Sequence, residues 1–361
     1  VRRCMEEGVA EGVFPGGVVL VAIGEDITFL EAFGLADLYS RRPVTEDTVF
    51  DLASLTKPLA TVPSVMTLFE AGEIGLDQTL GDLIADFGQT EKSDITVRQL
   101  LSHSSGLPAY QPYYQKLRIL EPHRVKTALR RELLAEPLLH QPGEVCLYSD
   151  LGFMILQWVI EAVTEQPLGD FVSEAVYIPL GLKRLFFNPL PHRQHARYAA
   201  TEDCPWRGKI LEGEVHDDNA YAMGGVAGHA GLFGTAQSVY GLLLELLTSY
   251  RGAGGLFRQD TVRTFFGGRS APGTWALGFD TPSPSDSSSG EYFSERSVGH
   301  LGFTGTSFWM DLDKQVIVVL LTNRVHPNRD NDRIKRFRPR LHDTVMKSLG
   351  NPPSKHLKKK P

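Results

Sequence analysis

The stretch "VFDLASLTKPLAT", residues 49–61, places Ser54 three positions before Lys57 in an apolar frame. Side chains three residues apart lie on the same face of a helix. Proline is tolerated in the first turn of a helix, where no intrahelical hydrogen bond is due, so Pro58 predicts a helix that begins near Ser54. The free N–H groups and the positive dipole end of that helix would favour negative charge on the serine oxygen.

This pair of residue types suits nucleophilic catalysis. A serine hydroxyl is a poor nucleophile until a base takes its proton, and a lysine desolvated in a cleft can be that base because burial lowers its pKa. The spacing alone is weak evidence, since a Ser-x-x-Lys is expected by chance in a chain of 361 residues. Pro63 is unexplained, because a second proline six residues past Lys57 would kink or interrupt the helix.

The composition is that of an ordinary globular protein, with 42% hydrophobic and 22% charged residues. The formal net charge of −6 is spread along the chain, which argues against a nucleic-acid partner. The three cysteines, Cys4, Cys146 and Cys204, show no C-x-x-C spacing, so neither a disulfide framework nor a cysteine-based zinc site is expected. We predict no cofactor and no metal, and the sequence leaves the oligomeric state open.

Membrane and targeting signals are lacking in this chain. No apolar run reaches the roughly 18 residues that a membrane helix needs, and no signal-peptide segment is present. These observations leave the compartment open, with a slight preference for the cytoplasm over the periplasm. The basic residues at 355–361 predict a disordered tail over 351–361.

Strand patterns lie near both ends of the chain. Residues 16–34 form two β-rich runs around a polar turn, and residues 306–324 repeat that hairpin pattern. Residues 274–280 predict a further strand, followed by a mobile polar loop over 281–291.

The middle of the chain is helical in pattern. Thr96 with Gln99 is typical of a capping box, and Gly106 predicts the end of that helix. Residues 150–163 and 236–250 are apolar on several faces, as buried helices are.

These patterns together predict an α+β fold. An antiparallel sheet, built from the N- and C-terminal segments and flanked by helices, would form an α/β sandwich beside a mostly helical lobe. We assign residues 1–55 and 236–350 to the sheet lobe and residues 56–235 to the helical lobe. An active site is expected where the two lobes meet.

Two later motifs accompany the Ser-x-x-Lys. "PGEVCLYSDLGF" (142–153) contains Tyr148 and Asp150, and "GHLGFTGTSFWMD" (299–311) contains His300 and Gly302 at what is predicted to be the start of a strand. In this order the three motifs resemble the signatures of the serine β-lactamase and penicillin-binding-protein superfamily: S-x-x-K, then Y-x-N, then K-T-G or H-x-G.

The resemblance extends over roughly residues 10 to 325. Residues 95–108, 165–182 and 213–236 are similar to stretches of the class C β-lactamase-like esterases and the D-aminopeptidase-type carboxypeptidases. The resemblance implies a β-lactamase/transpeptidase-like fold and a serine hydrolase.

The resemblance also implies a role for each motif residue. Ser54 would be the acylated nucleophile, Lys57 its activating partner and Tyr148 the proton shuttle, with its pKa lowered by the adjacent ammonium. The oxyanion hole would be the backbone N–H of Ser54 together with that of Phe303 on the edge strand. Four residues would form the substrate-binding side of the site: Asp150, His300, Gly302 and Phe303.

Two of these positions depart from the family pattern. Asp150 stands where asparagine is usual; an ionised aspartate only accepts hydrogen bonds, and it would hold Lys57 protonated. His300 stands where lysine is common, and a mostly neutral histidine attracts a substrate carboxylate less strongly. Both departures favour esters or uncharged acyl substrates.

Three other polar stretches are alternative candidates for a functional site. The rival H-x-G at His229–Gly231 lies in a glycine-rich loop, so His300 is preferred. His103 and the "HDDN" at 216–219 could be metal ligands, but without paired cysteines or an H-x-x-x-H pattern, structural hydrogen bonding is the better interpretation.

We therefore expect a serine hydrolase that acts through an acyl-enzyme on a small ester, amide or peptide-like substrate. The alternatives are a true β-lactamase or D-Ala-D-Ala carboxypeptidase, a penicillin-binding regulatory module without turnover, and a structural or protein-binding domain. The G-x-S-x-G elbow of α/β-hydrolases is absent.

Overall fold

The computed structural model describes residues 1–188, 197–267 and 273–350. The predicted tail at 351–361 lies outside these residues. The strands are β1 (Gly16–Ile23), β2 (Asp26–Asp37), β3 (Arg42–Pro43), β4 (Phe50–Asp51), β5 (Leu185–Phe187), β6 (Asp203–Cys204), β7 (Lys209–Ile210), β8 (Leu232–Gly234), β9 (Ser297–Leu301), β10 (Ser307–Asp311) and β11 (Val316–Thr322). The α-helices are α1 (Arg2–Ala10), α2 (Val62–Ala71), α3 (Leu80–Leu83), α4 (Val97–Leu101), α5 (Tyr114–Leu117), α6 (Pro122–Ala135), α7 (Asp150–Thr164), α8 (Leu168–Val172), α9 (Asp218–Ala222), α10 (Ala236–Arg251), α11 (Gln259–Gly267) and α12 (Ile334–Ser348).

Six antiparallel strands form the main sheet, in the order β3-β2-β1-β11-β10-β9. Strand β1 pairs with β11 from Gly17 opposite Thr322 to Ile23 opposite Val316, which joins the two ends of the chain. Both predicted hairpins, β1–β2 and β10–β11, are present. The predicted α+β fold with a sheet built from both termini is confirmed.

The central strands of the sheet are buried on both faces, whereas β2 is largely exposed or half-buried. Strand β11 is buried at every position, which fits its unbroken run of valine, isoleucine and leucine. On β1, Val18 and Leu20 pack into the large core shared with the helices of the middle of the chain, whereas Val19 and Val21 pack against α1 and α12. This alternation places β1 in the middle layer of a helix–sheet–helix sandwich.

Three predicted details are wrong. Residues 274–280 form no strand apart from a single bridge between Asp280 and Gly299, because Gly278 turns the chain at φ +85°. The helix that Thr96 caps ends at Leu101 rather than at Gly106.

The third correction concerns His300, which lies near the end of β9 and not at the start of a strand. Phe303 lies just past that end, in the turn that leads to β10. Strand β9 is the sheet's edge, as predicted for the strand beside the site.

The chain between the two halves of the main sheet contains helices α2 to α11, a three-stranded sheet in the order β4-β8-β5 and the strand pair β6-β7. The division into lobes at residues 55 and 236 stays a prediction. No helix among the described residues is long and apolar enough to cross a membrane.

Candidate active site

Ser54 lies in a short 3-10 turn, Ala53–Leu55, directly after β4. Ala53 adopts the left-handed conformation at φ +49°, which L-residues other than asparagine and aspartate rarely occupy. Its N–H donates to Oδ1 of Asp51 at 2.8 Å, so the buried Asp51 carboxylate holds this bend. The sharp bend sets Ser54 at the start of a helical segment, as its sequence predicts.

The helical segment also explains the second proline. A π-helical turn covers Lys57–Thr61, and α2 begins at Val62, so Pro63 falls in the first turn of α2. In the first turn a backbone N–H has no intrahelical acceptor, so a proline, which has no N–H, is tolerated there. Pro58 lies at the start of the π-helical turn and Pro63 lies at the start of α2. Neither proline interrupts the helical path from Lys57 to Ala71.

The Lys57 side chain is fully buried and makes three polar contacts. Its Nζ donates to Oγ of Ser54 at 3.2 Å, to Oδ1 of Asp150 at 2.6 Å and to the carbonyl of His229 at 3.3 Å. Burial lowers the pKa of Lys57, but the charge of Asp150 and the hydrogen bonds with Asp150 and Tyr148 raise it by more, so the net shift is upward. The expected lowering is wrong: Lys57 is an ammonium at neutral pH, as the presence of Asp150 suggested.

The Tyr148 hydroxyl interacts with both Lys57 and Ser54. The Lys57 Nζ lies 4.8 Å from the centre of the Tyr148 ring. Burial raises the pKa of Tyr148 and outweighs the lowering by Lys57, so the predicted lowering of this pKa is wrong. The three side chains of the proposed catalytic group do lie together, with the phenol protonated at rest.

The first turn of α7 places Asp150 opposite Lys57. Ser149 caps this helix by accepting the Gly152 N–H at 3.3 Å, and its own hydroxyl donates to the Pro108 carbonyl at 2.6 Å. The Ser149 N–H donates to Nδ1 of His103 at 3.1 Å. His103 thus makes a structural hydrogen bond beneath the site, and burial holds its pKa well below the usual value.

His300 is buried beside the rings of Tyr148 and Trp275. Its Nδ1 donates to the Leu301 carbonyl at 2.9 Å, while its buried Nε2 has no hydrogen-bond partner. Burial and, secondly, the Lys57 charge lower the pKa of His300 to about 3. The imidazole is neutral at physiological pH and carries no charge for a substrate carboxylate.

Gly302 lets the turn over residues 302–306, here called the oxyanion turn, approach the segment before Ser54. A Cβ at Gly302 would lie 2.0 Å from Oγ1 of Thr306 and 2.7 Å from the Leu52 carbonyl oxygen. The hydroxyl of Thr306 donates to that same Leu52 carbonyl at 2.9 Å. Gly302 therefore serves close packing between two backbone segments, and any contact it makes with a substrate is through its backbone.

Phe303 follows Gly302 and is half exposed. Its ring lies 4.5 Å from the Arg324 guanidinium and stacks on His216. No backbone acceptor among the described residues pairs with the Phe303 N–H, which leaves that donor free for a ligand. This is consistent with the oxyanion role that the resemblance implies.

A cavity of about 450 Å³ opens over these groups. The predicted residues on its wall are Ser54, Tyr148, His300, Gly302 and Phe303. Sequence reasoning missed further wall residues, namely Trp275, Asp280, Arg324, Arg329 and Arg338. The available signal was position: Arg324 lies two residues past the end of the buried β11, and polar residues at strand ends often reach a site.

The rival histidine motif lies beside the site as well. The His229 carbonyl contacts Lys57, and its imidazole Nε2 pairs with Asp217 at 3.0 Å. Asp217 also accepts the Ala220 N–H at 2.7 Å as the cap of α9. Within residues 1–188, 197–267 and 273–350, no group of three or more His, Cys, Asp or Glu side chains could hold a metal ion.

Comparison with known proteins identifies the family. A sequence model of the beta-lactamase family matches residues 1–341. The chain belongs to this family. It is 32% identical over 347 residues to an Escherichia coli (strain K12) protein provisionally named D-alanyl-D-alanine carboxypeptidase, a match that covers 87% of this chain and 79% of the relative.

Two further proteins are similar to this chain. The chain is 33% identical over 362 residues to the N-acetylmuramyl-L-alanine amidase of Bacillus subtilis (strain 168), covering 90% of this chain and 80% of the amidase. The solved structure of EstCE1, a hydrolase with promiscuous acyltransferase activity, matches with a TM-score of 0.70 over 94% of this chain and 97% of that protein, at 23% identity, which shows the shared fold. Together with the family match, these relatives identify the protein as a β-lactamase-fold serine hydrolase.

Proposed function

We propose that this member of the beta-lactamase family hydrolyses amide or ester bonds of small acyl compounds through an acyl-enzyme on Ser54. The observation that carries the proposal is the contact of the buried Lys57 Nζ with Oγ of Ser54 at 3.2 Å, where Ser54 and Tyr148 lie on the wall of one cavity. A nucleophile, a charged partner and a phenol within mutual reach are the parts that acyl transfer requires.

The proton path follows from the charge on Lys57. As an ammonium, Lys57 cannot accept the Ser54 proton until it loses one of its own, and Asp150 at 2.6 Å is the nearest acceptor. On attack, the Ser54 proton passes to Nζ of Lys57 as Nζ passes a proton to the Asp150 carboxylate. Tyr148 then delivers a proton to the leaving group and, as a phenolate, takes one from the water that cleaves the acyl-enzyme. In that second step the proton held by Asp150 returns through Nζ of Lys57 to Oγ of Ser54, which restores the resting state.

Amides are the first substrate class to test. Both named bacterial relatives carry the names of amide-bond hydrolases, and both match at 32–33% identity. Esters follow, since the neutral His300 and the anionic Asp150 favour uncharged acyl groups by the argument from the sequence.

A second candidate, D-Ala-D-Ala carboxypeptidase activity, is favoured by Arg324. This residue lines the cavity and forms no ion pair within the described residues, although it donates to backbone carbonyls. Its charge can attract the terminal carboxylate that the neutral His300 does not.

The test is a substrate panel with a nucleophile control. Purified protein is assayed against p-nitrophenyl butyrate, a D-amino-acid p-nitroanilide, N-acetylmuramyl-L-alanine, a D-Ala-D-Ala peptide and nitrocefin. We expect turnover of at least one amide or ester, and a fluorophosphonate adduct on Ser54 by mass spectrometry. Ser54→Ala should lose at least a thousandfold in rate and all labelling, with an unchanged circular dichroism spectrum.

Each other outcome selects another hypothesis. Faster turnover of nitrocefin than of any ester or amide would identify a β-lactamase. A stable adduct on Ser54 without product release would identify a penicillin-binding module. Retained activity in Ser54→Ala would contradict the mechanism itself, and no labelling at all would leave a structural or binding domain.

A further inference from the structure

The oxyanion turn is held from behind by an arginine of α12. Nη2 of Arg338 donates to the carbonyl oxygens of Gly302 and Thr306, each at 2.8 Å. Arg338 is 5% exposed, so these bonds form in a poorly hydrated environment. One guanidinium nitrogen therefore contacts both ends of the turn that carries the Phe303 N–H.

The bond to Gly302 acts on one particular peptide group. The carbonyl of Gly302 and the N–H of Phe303 belong to the same peptide unit. A charged donor at the carbonyl oxygen draws electron density through the conjugated amide and makes its N–H a stronger donor. The arginine, which also lies on the cavity wall, thus acts on the oxyanion position through the Gly302–Phe303 peptide.

The charge of Arg338 is not neutralised by a carboxylate. No ion pair involves it within the described ranges, and its buried Nε has no acceptor. Its positive charge also contributes, after burial and Lys57, to the lowered pKa of His300, which shows that its field reaches the site. A buried, unpaired guanidinium is costly to fold, so a functional role is a physical reason for it to be there.

The other candidate oxyanion donor, the N–H of the Ala53–Ser54 peptide, has a similar arrangement. The carbonyl of Ala53 shares its peptide unit with the N–H of Ser54, and it accepts a hydrogen bond from Oγ1 of Thr56 at 2.7 Å. Both candidate oxyanion donors therefore have a hydrogen bond on the carbonyl at the opposite end of their peptide. Only the bond from Arg338 carries a full charge.

We propose that Arg338 is a positioning residue that increases kcat by polarising the Gly302–Phe303 peptide, whose N–H stabilises the oxyanion formed on attack by Ser54. The inference rests on the proposed acyl-enzyme function. The inference gives a residue of α12, which contains none of the three sequence motifs, an effect on transition-state stabilisation through the Gly302–Phe303 peptide.

The chain offers a matched control in Arg324. Nε of Arg324 donates to the Phe303 carbonyl at 2.7 Å, which belongs to the next peptide, the one that carries the Thr304 N–H. Both arginines brace the same turn, but only Arg338 acts on the peptide of the Phe303 N–H. Arg324 also donates to the carbonyls of Arg329 and Asn331. Loss of bracing alone should therefore make Arg324→Met at least as severe as Arg338→Met.

The experiment compares Arg338→Met with Arg324→Met. Turnover of the uncharged ester p-nitrophenyl butyrate and inhibition by an arylboronic acid, which forms a tetrahedral adduct on serine, are measured per mole of fluorophosphonate-reactive Ser54. For Arg338→Met we expect kcat to fall by about 10-fold to 50-fold, less than the loss of a whole oxyanion donor, with KM changed by less than about twofold. Its boronate Ki should rise by the same factor, and by several times more than in Arg324→Met.

Arg338→Lys keeps one charged donor on a long side chain. It should recover part of the loss in kcat and part of the loss in boronate binding seen for Arg338→Met. Equal effects of Arg338→Met and Arg324→Met, or a fall in kcat without weaker boronate binding, would overturn the inference. Failure of both Arg338 variants to fold would also overturn it, because the residue would then be structural. Absence of labelling and turnover in the unaltered protein would instead contradict the proposed function.

Discussion

At the scale of single residues, the protonation of Lys57 is the feature that departs most from expectation. A desolvated lysine should lose its proton, but the Asp150 carboxylate 2.6 Å away outweighs that effect, and the pKa of Lys57 is raised. The chain thus replaces a neutral lysine base with an ammonium–carboxylate pair next to Ser54. In the proposed mechanism Asp150 is part of the proton path, a role that was not predicted from the sequence.

Asp150→Asn tests this pair. Without the carboxylate, burial dominates and the pKa of Lys57 falls below its value in the unaltered protein. We expect kcat/KM at pH 7 to drop at least about 10-fold and then to increase with pH as Lys57 deprotonates, whereas the unaltered protein should not need that deprotonation. The measurement is kcat/KM between pH 5 and pH 10 with an uncharged ester.

Asp217→Asn is the control for Asp150→Asn. Asp217 is a nearby carboxylate that contacts His229 and the start of α9. Its variant should keep the shape of the profile of the unaltered protein. An Asp150→Asn profile of unchanged shape would show that the carboxylate does not set the state of Lys57.

At the scale of elements, two backbone segments meet at the site. The bend that carries Ser54 and the oxyanion turn are tied by hydroxyl donors, with Thr304 bonded to the Asp51 carbonyl at 2.8 Å and Thr306 to the Leu52 carbonyl at 2.9 Å. This places the end of β9 against the start of the helical segment that begins near Ser54. The close approach depends on Gly302 having no side chain.

Gly302→Ala should separate these two segments. Its Cβ would lie 2.0 Å from Oγ1 of Thr306, a distance that forces the backbone to shift. We expect a loss of about 1–3 kcal/mol in the free energy of unfolding, together with a loss of kcat larger than stability alone explains. Urea unfolding and ester turnover measure the two effects.

Gly267→Ala is the comparison for Gly302→Ala, because a Cβ there meets no atom within 4 Å. Its free energy of unfolding should change by no more than about 0.5 kcal/mol. If Gly302→Ala behaves like Gly267→Ala in both assays, the close approach is not important for activity.

At the scale of the whole molecule, the sheet that joins both termini is extended at its edge by a single bridge. Asp280 and Gly299 exchange backbone hydrogen bonds of 2.8 and 2.9 Å, which fix the segment with Trp275 beside the cavity. Burial raises the pKa of Asp280 to about 7. The folded state therefore binds a proton that the unfolded chain, with a usual aspartate pKa, releases near pH 4.

The stability of the protein should follow this titration. Because the pKa of Asp280 is higher in the folded state, its protonation stabilises the fold at low pH, and that stabilisation is lost as pH increases from about 4 to about 7. The contribution to the slope is at most about 1.4 kcal/mol per pH unit. Asp280→Asn should remove this component, which urea unfolding at several pH values measures; an unchanged slope would contradict it.

The extent of sequence-based prediction differs between fold and site. The two hairpins, α7, α10 and the capping box at Thr96 were predictable, because alternation, apolar runs and caps are local signals. The segment 274–280 was not, because its strand-like residues are turned by the left-handed Gly278. Ser54, Lys57 and Tyr148 were found through their motifs, whereas Arg324 and Arg338 belong to no motif.

The amino-acid sequence by itself determined the α+β class, the sheet built from both chain ends and the residues that approach one another around Ser54. The fold class and the sheet follow from patterns within a few residues, which bias the backbone and decide which side chains are buried. The residues around Ser54 follow instead from the resemblance of three motifs to a known family. Only the tertiary structure decided the charge on Lys57, the neutrality of His300 and the arginine behind the oxyanion turn. The reason is that a pKa and a charged contact depend on desolvation and on groups distant in sequence, such as Asp150 for Lys57 and Arg338 for Gly302.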